Sequence, residues 1–423
     1  MPQLFKSIKL LALAGSFFFV FTAEGQEITS SPYSRFGLGE LNSDAFTNNQ
    51  AMGGWTLGWR DSMNVKLNNP ALLADLRRTT FHTGVNGIVV NRTNGSLNQS
   101  ATNANLANIV LGVPLGKKGG LSFGISPFSS VGYEIENEVD LDSLGMLTEV
   151  YQGSGGINQF NLGLGYEVLD GFQVGLNASY NFGSLSRLVT ADFDTSTFYD
   201  ARFVSTTSIN DFSYELGALY GIKINDELNL TLSGVYGLEA ALSGTQTRLL
   251  YSFRQVAGRE EIKDTAIFDL EKAGEILIPG RLAFGFGINS TDWGFGAEVQ
   301  TRNWSSFRSF GETDSLANST KIRLGGYLTP DPDAVGNYWK AITYRFGAYY
   351  NQSYLQLRNT QLNDLGISFG MSLPLRRTFS RVNLAVALGK RGTIDQGLIQ
   401  ENYMRFSVGF TLNDRWFRKR RID

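Results

Sequence analysis

Cysteine is absent from the 423 residues. That excludes a disulfide framework, thiolate chemistry and a lipid anchor on a cysteine. Histidine occurs once, as His82, and proline only nine times. With no histidine pair, no cysteine cluster and no strand-to-helix nucleophile elbow recognised, neither a metal site nor catalytic residues are expected, and no cofactor. A net charge of -2 without a basic domain gives no reason to expect nucleic-acid binding. Beyond residue 25 there is no apolar run of the ~20 residues that a membrane helix needs.

What the chain has instead is two-residue alternation. Phe172, Val174, Leu176, Ala178, Tyr180 and Phe182 take one parity, against Gln173, Gly175, Asn177, Ser179, Asn181 and Gly183 on the other. Successive strand side chains point to opposite faces, so one face is apolar and the other small and polar. The pattern returns at Leu162/Leu164/Tyr166, Leu282/Phe284/Phe286, Val382/Leu384/Val386 and Phe406/Val408/Phe410. Together with 48 glycines and 13% aromatic residues, it predicts an all-β fold: a transmembrane antiparallel β-barrel with lipid outside and a polar lumen.

Tracing alternation and turn signals predicts about fourteen strands, near 79–91, 106–114, 119–136, 156–169, 171–190, 208–223, 226–253, 279–290, 292–307, 319–328, 339–356, 361–374, 381–391 and 401–412. Short connections such as Leu169–Gly171 and Lys223–Asp226 alternate with long ones: Ile135–Gly155, Ala191–Thr207, Arg254–Ile278 and Phe307–Ser319. Outer-membrane barrels carry short periplasmic turns and longer outer loops. An even strand number with both barrel ends in the periplasm follows.

Three segments are expected. Residues 1–25 read as a secretory signal: Lys6 and Lys9, the apolar run Leu10 to Phe21, then Ala23-Glu24-Gly25 before cleavage. Residues 26–78 lack sustained alternation, yet Tyr33, Phe36, Trp55 and Trp59 argue against a disordered leader. Fourteen strands enclose more space than wall side chains fill, so this segment is expected to plug the barrel formed by 79–423. Gly53-Gly54 would allow it tight turns.

Gly53-Gly54, Asp61-Ser62-Met63-Asn64 and Asn69-Pro70-Ala71-Leu72-Leu73 ahead of the first strand resemble the N-terminal hatch of the FadL/TodX outer-membrane transporters. Ser31-Pro32-Tyr33-Ser34-Arg35-Phe36-Gly37 and the ending Asn413 to Phe417 are similar to a Bacteroidetes branch of such barrels. The resemblance spans the mature chain, with the Asn-Pro-Ala segment its most specific part. It implies a 14-stranded barrel in the outer membrane of a Gram-negative, Bacteroidetes-like bacterium, with Gly53, Gly54, Asp61, Asn69, Pro70 and Ala71 in the hatch. Passive transport of long-chain fatty acids or aromatic hydrocarbons is the implied function. Membrane lipid and a hydrophobic small molecule would be its partners.

Within the third predicted strand, Pro127 removes a ladder donor. In the resembled family a kink at this strand lets cargo leave sideways, so Ser126, Pro127 and Phe128 are the implied lateral gate. The alternative reading places Pro127 beyond the bilayer, in an outer extension. Phe193, Phe198, Tyr199 and Phe203 are candidates for cargo capture, and Arg92, Arg202, Arg254 and Arg308 for a carboxylate partner. The alternative function is a barrel that carries or docks proteins in secretion or surface assembly. An apolar pocket reaching the break in the third strand would favour transport; a filled lumen with exposed apolar patches would favour docking.

Overall fold

A computed structural model describes residues 29–414 and Trp416, except Asp44, 143–144, 195–197, Ala257, Ser315 and Val335. The expected signal peptide and, apart from Trp416, residues 415–423 lie outside the described residues. The fold is an antiparallel barrel of fourteen strands. They are β1 (Thr79–Thr93), β2 (Asn98–Leu115), β3 (Gly119–Asp140), β4 (Met146–Leu169), β5 (Phe172–Phe193), β6 (Asp200–Lys223), β7 (Asn229–Gly237 and Ala240–Val256), β8 (Arg259–Ile278 and Arg281–Asn289), β9 (Trp293–Arg302), β10 (Ser319–Leu328), β11 (Thr343–Leu357), β12 (Thr360–Pro374), β13 (Arg381–Arg391) and β14 (Gln400–Asp414). Pairing of β14 with β1, from Gln400↔Thr93 to Asp414↔Thr79, closes the ring.

Burial is inverted relative to a water-soluble sheet. Leu162 and Leu164 are 48% and 49% exposed, whereas Asn161, the neighbour of Leu162, is 4% exposed. Phe284 and Phe286, Leu365 and Ile367, and Phe406 and Phe410 are likewise exposed, while Ser233, Glu298, Ser368, Asn383 and Ser407 are buried. Apolar side chains that face outwards are at no cost in hydrocarbon, and the polar ones line a protected interior.

Three expectations need correction. The long outer connections are largely strand. Glu136–Asp140, Met146–Gly155 and Asp200–Thr207 continue β3, β4 and β6, and Arg259–Ile278 is the outer part of β8. The outer halves of β3 to β8 therefore project as a sheet beyond the wall. Second, β7 is interrupted between Gly237 and Ala240, where β8 also breaks at residues 279–280. Third, β9 ends at Arg302, before a 3-10 turn at Trp304–Ser306, and Tyr338–Lys340 is also a 3-10 turn rather than the start of β11.

Candidate functional site: a plugged lumen and a gap in the wall

Residues 29–78 lie inside the barrel, at two levels. The lower level begins with a single helical turn, Thr47–Gln50. Gly53 and Gly54 follow with φ of 66° and 87°, a left-handed turn that keeps the chain flush with the wall, where any Cβ on Gly53 would strike the backbone of Leu324 and Ala348. Asp61 closes an Asx-type turn, accepting from Met63 N at 2.8 Å and from Asn64 Nδ2 at 2.8 Å. Asn69 caps the 3-10 turn Pro70–Asp75: its Oδ1 accepts from Ala71 N at 2.9 Å, while Nδ2 donates to Ser233 on β7 at 2.7 Å. Pro70 supplies the fixed φ that opens such a turn, and Ala71 is fully buried. Of the hatch residues named from sequence, Gly53, Gly54, Asp61 and Pro70 shape turns, Ala71 is buried, and Asn69 both caps its turn and reaches the wall.

The wall residues that seat this level were not foreseen. Glu298 on β9 accepts from the plug amides Thr56 N and Leu57 N at 2.8 and 2.9 Å and pairs with Arg323 at 2.7 Å. Arg281 on β8 bridges Asn68 O at 3.0 Å and Glu215 at 2.7 Å. Ser368 accepts from Gly53 N, and Ser407 donates to Gln50 Oε1. Partners more than 200 residues apart leave no local pattern.

The upper level, Thr29 to Asn42, is held by ions and by an apolar seal. Glu40 pairs with Arg391 at 2.7 Å, Arg391 with Glu401 at 2.5 Å, and Glu401 with Arg92 at 3.1 Å; Ser31 Oγ donates to Glu401 at 3.0 Å. Burial tends to raise the Glu40 carboxyl, but Arg391 and the Thr29 hydroxyl hold it below its ordinary value. Around Tyr33 and Leu38, one inward residue from each projecting strand, Val131, Ile157, Leu185, Ile209, Leu242 and Ile276, forms a buried belt closed by Trp304, Phe307 and Tyr354. These apolar positions point inwards, the reverse of the polarity lower in the lumen. Between the levels lies a cavity of about 300 Å³.

The wall is incomplete beside that cavity. Pairing of β2 with β3 runs only from Leu115↔Gly119 to Ile109↔Ile125 and stops immediately before Ser126-Pro127-Phe128. On its other side, β3 is bulged between Pro127 and Ser129 against β4. Beyond the stop, β2 continues on β1 alone. The plug then takes the vacated place on β3: Glu40↔Ser130 and Leu41↔Ser129 form a two-residue antiparallel strand, and Asn42 N donates to Phe128 O at 2.9 Å. Ser126, Pro127 and Phe128 line the cavity with Leu41, Asn42 and Phe46. Asn161 Nδ2 donates to Ser126 Oγ at 3.0 Å.

Other sequence candidates lie elsewhere. His82 is 1% exposed, packed at a tilt against the plug's Phe46 with ring centres 4.3 Å apart and its Nδ1 3.2 Å from Thr411 Oγ1. Gly120-Leu121-Ser122-Phe123-Gly124 has the spacing of a nucleophile elbow, which sequence reading passed over. It lies inside the continuous ladder of β3, two strands from His82, and makes no elbow. Phe193 and Phe198 pack on each other at 5.3 Å, and Arg254 stacks over Tyr199. Arg92 is held by Glu401, Arg202 by Glu260, and Arg308 by backbone carbonyls; none of these or Arg254 lines the cavity. The basic residues that do are Arg281, Arg302, Lys321, Arg323, Arg391 and Arg405, against Glu40, Glu215 and Asp364.

A ring of fourteen strands with an apolar exterior, an N-terminal plug within and a break beside the third strand defines a plugged β-barrel with the fold of the FadL/TodX barrels. The chain belongs to the BamG family, whose model matches residues 7–423. No curated protein matches its sequence. Among solved structures it is similar to the monoaromatic hydrocarbon channel CymD (14% identity, 90% of this chain and 100% of that one, TM-score 0.56). It is also similar to the toluene transporter TodX of Pseudomonas putida (15%, 88% and 98%, TM-score 0.57) and to a FadL homologue of Pseudomonas aeruginosa (13%, 89% and 99%, TM-score 0.52).

Proposed function

We propose that this barrel passes hydrophobic or amphipathic small molecules between the outer surface and the outer membrane, by way of the plugged chamber and the gap between β2 and β3. The observation that carries this reading is the end of β2–β3 pairing at Ile109↔Ile125, with the next three residues of β3 lining the cavity. An apolar tail gains roughly 25 cal/mol per Å² on leaving water, and a sideways exit keeps it out of water to the end. The toluene and hydrocarbon channels of the same fold lend the transport reading its support by likeness.

Locking the gap tests it. Asn108 and Ser126 stand where the register would place the next pair beyond Ile109↔Ile125, and the chain has no cysteine of its own. Asn108→Cys with Ser126→Cys, oxidised, should stop uptake of a labelled fatty acid into cells, and reduction should restore it. Unchanged uptake in the oxidised protein would remove the gap from the route.

A second function, docking of protein partners in secretion or surface assembly, draws support from a different observation. The projecting part of β8 exposes Ile262, Phe268 and Leu270 outside the lipid-facing wall. Purification from native membranes separates the two: a stoichiometric protein partner favours docking, and bound lipid favours transport.

A further inference from the structure

The projecting sheet of β3 to β8 has two free edges, and they are built differently. Along the outer half of β8, pairing with β7 is broken by three register shifts, between Ile262/Asp264, Thr265/Ile267 and Asp269/Lys272. Bulges of this kind twist an edge away from further pairing, a common protection against unwanted strands. The β3 edge has no such protection. From Ser129↔Ile157 to Asp140↔Met146 its pairing with β4 is continuous, so the backbone on its open side is a regular ladder.

That edge already accepts a strand. The plug residues Glu40 and Leu41 pair with Ser130 and Ser129, Asn42 N donates to Phe128 O, and Gly132 N donates to Ser34 Oγ at 3.1 Å. Among the described residues, Tyr133 to Asp140 pair with β4 on one side and with no strand on the other. In an extended strand the N–H and C=O of alternate residues point the same way. Those of Glu134, Glu136 and Glu138 therefore follow Phe128 and Gly132 out of the sheet.

Charge gives the open stretch its partner chemistry. Glu134, Glu136, Glu138 and Asp140 are all exposed and share one face, while Tyr133 and Ile135 turn inwards to the apolar seal. The residues across the ladder from the three glutamates are Gln152, Val150 and Thr148, none of them basic. Glu134 accepts a hydrogen bond from Gln152 at 2.9 Å, which leaves its charge unneutralised. Like charges at two-residue spacing repel one another along the strand. A strand carrying cations at the same spacing would remove that repulsion while completing the ladder.

We propose that the β3 edge from Tyr133 to Asp140 is a docking rail for an extended segment of a partner protein with Lys or Arg at alternate positions, bound by strand addition. The rail gives the docking function a surface and a partner chemistry, and it stands apart from the chamber and gap.

The test uses the full chain in lipid nanodiscs and a fluorescent peptide of about eight residues alternating lysine and threonine, the length the edge accommodates. Glu136→Pro removes an N–H on the open side without touching the β4 ladder. Glu134→Gln, Glu136→Gln and Glu138→Gln together remove the charge. Each variant should weaken binding by about tenfold or more, and a backbone N-methylated peptide should not bind. Unchanged gel mobility before and after heating confirms that the variants keep their barrel. Absence of binding, equal binding of the methylated peptide, or indifference to either variant would overturn the proposal. A partner that still co-purifies with the Glu136→Pro protein would then place docking elsewhere on the molecule.

Discussion

The plug is held by individual buried groups whose loss is costly. Glu298 accepts two plug amides and pairs with Arg323, itself buried. Replacing it with alanine leaves two plug N–H donors unmet and takes a carboxylate from a buried cation, a loss on the order of 3–5 kcal/mol. Glu298→Ala should therefore make residues 45–76 accessible to protease in an otherwise intact barrel, and unchanged resistance would contradict the role given to this carboxylate. Lys66 supplies a pH dependence. It is 1% exposed, donates to Trp59 O at 2.7 Å and lies 3.5 Å from the Trp59 ring centre. Burial pushes this plug ammonium down to about 7 from 10.5, with Asp61 opposing and Arg345 reinforcing the shift. A seated plug thus binds fewer protons than a released one between about pH 7 and pH 10. Seating strengthens as pH rises through that window, by up to about 1.4 kcal/mol per pH unit, and the full penalty is present below it. Protease protection of the plug should rise over the same range in the native chain, and Lys66→Met should flatten the profile.

At the level of elements, legibility followed environment. β10 and β13 were legible to the residue, 319–328 and 381–391, because lipid on one face and a polar lumen on the other impose alternation. Arg259–Glu275 went unseen as strand because it is exposed along nearly all its length, so nothing enforces a period of two. Asn98–Asn105 extends β2 for the same reason. Asn69-Pro70 and Gly53-Gly54 were legible because a cap or a turn is a local device. The seats they rest on, Glu298, Arg281 and Glu401, became visible only through folding. For β3 the geometry predicts an alternating exchange pattern. Amides of Glu134, Glu136 and Glu138 should exchange quickly with deuterium, while those of Ile135 and Asn137, turned towards β4, and those of Leu121–Ile125, between two paired neighbours, should be protected. Uniform protection across Tyr133–Asp140 would mean that the edge is covered.

For the molecule as a whole, the design is a wide ring whose interior is stoppered at two levels, leaving a chamber that meets the wall where β2 and β3 part. The lower stopper is seated by polar wall residues, and the upper one by the Glu40–Arg391–Glu401–Arg92 chain and the apolar belt. Water and ions should find no open path along the axis. Conductance across a planar bilayer tests this most directly. The native chain should insert and remain electrically silent, and Glu40→Ala, which unpins the upper level from Arg391, should produce intermittent opening steps. Steady, large conductance from the native chain would contradict a plugged lumen.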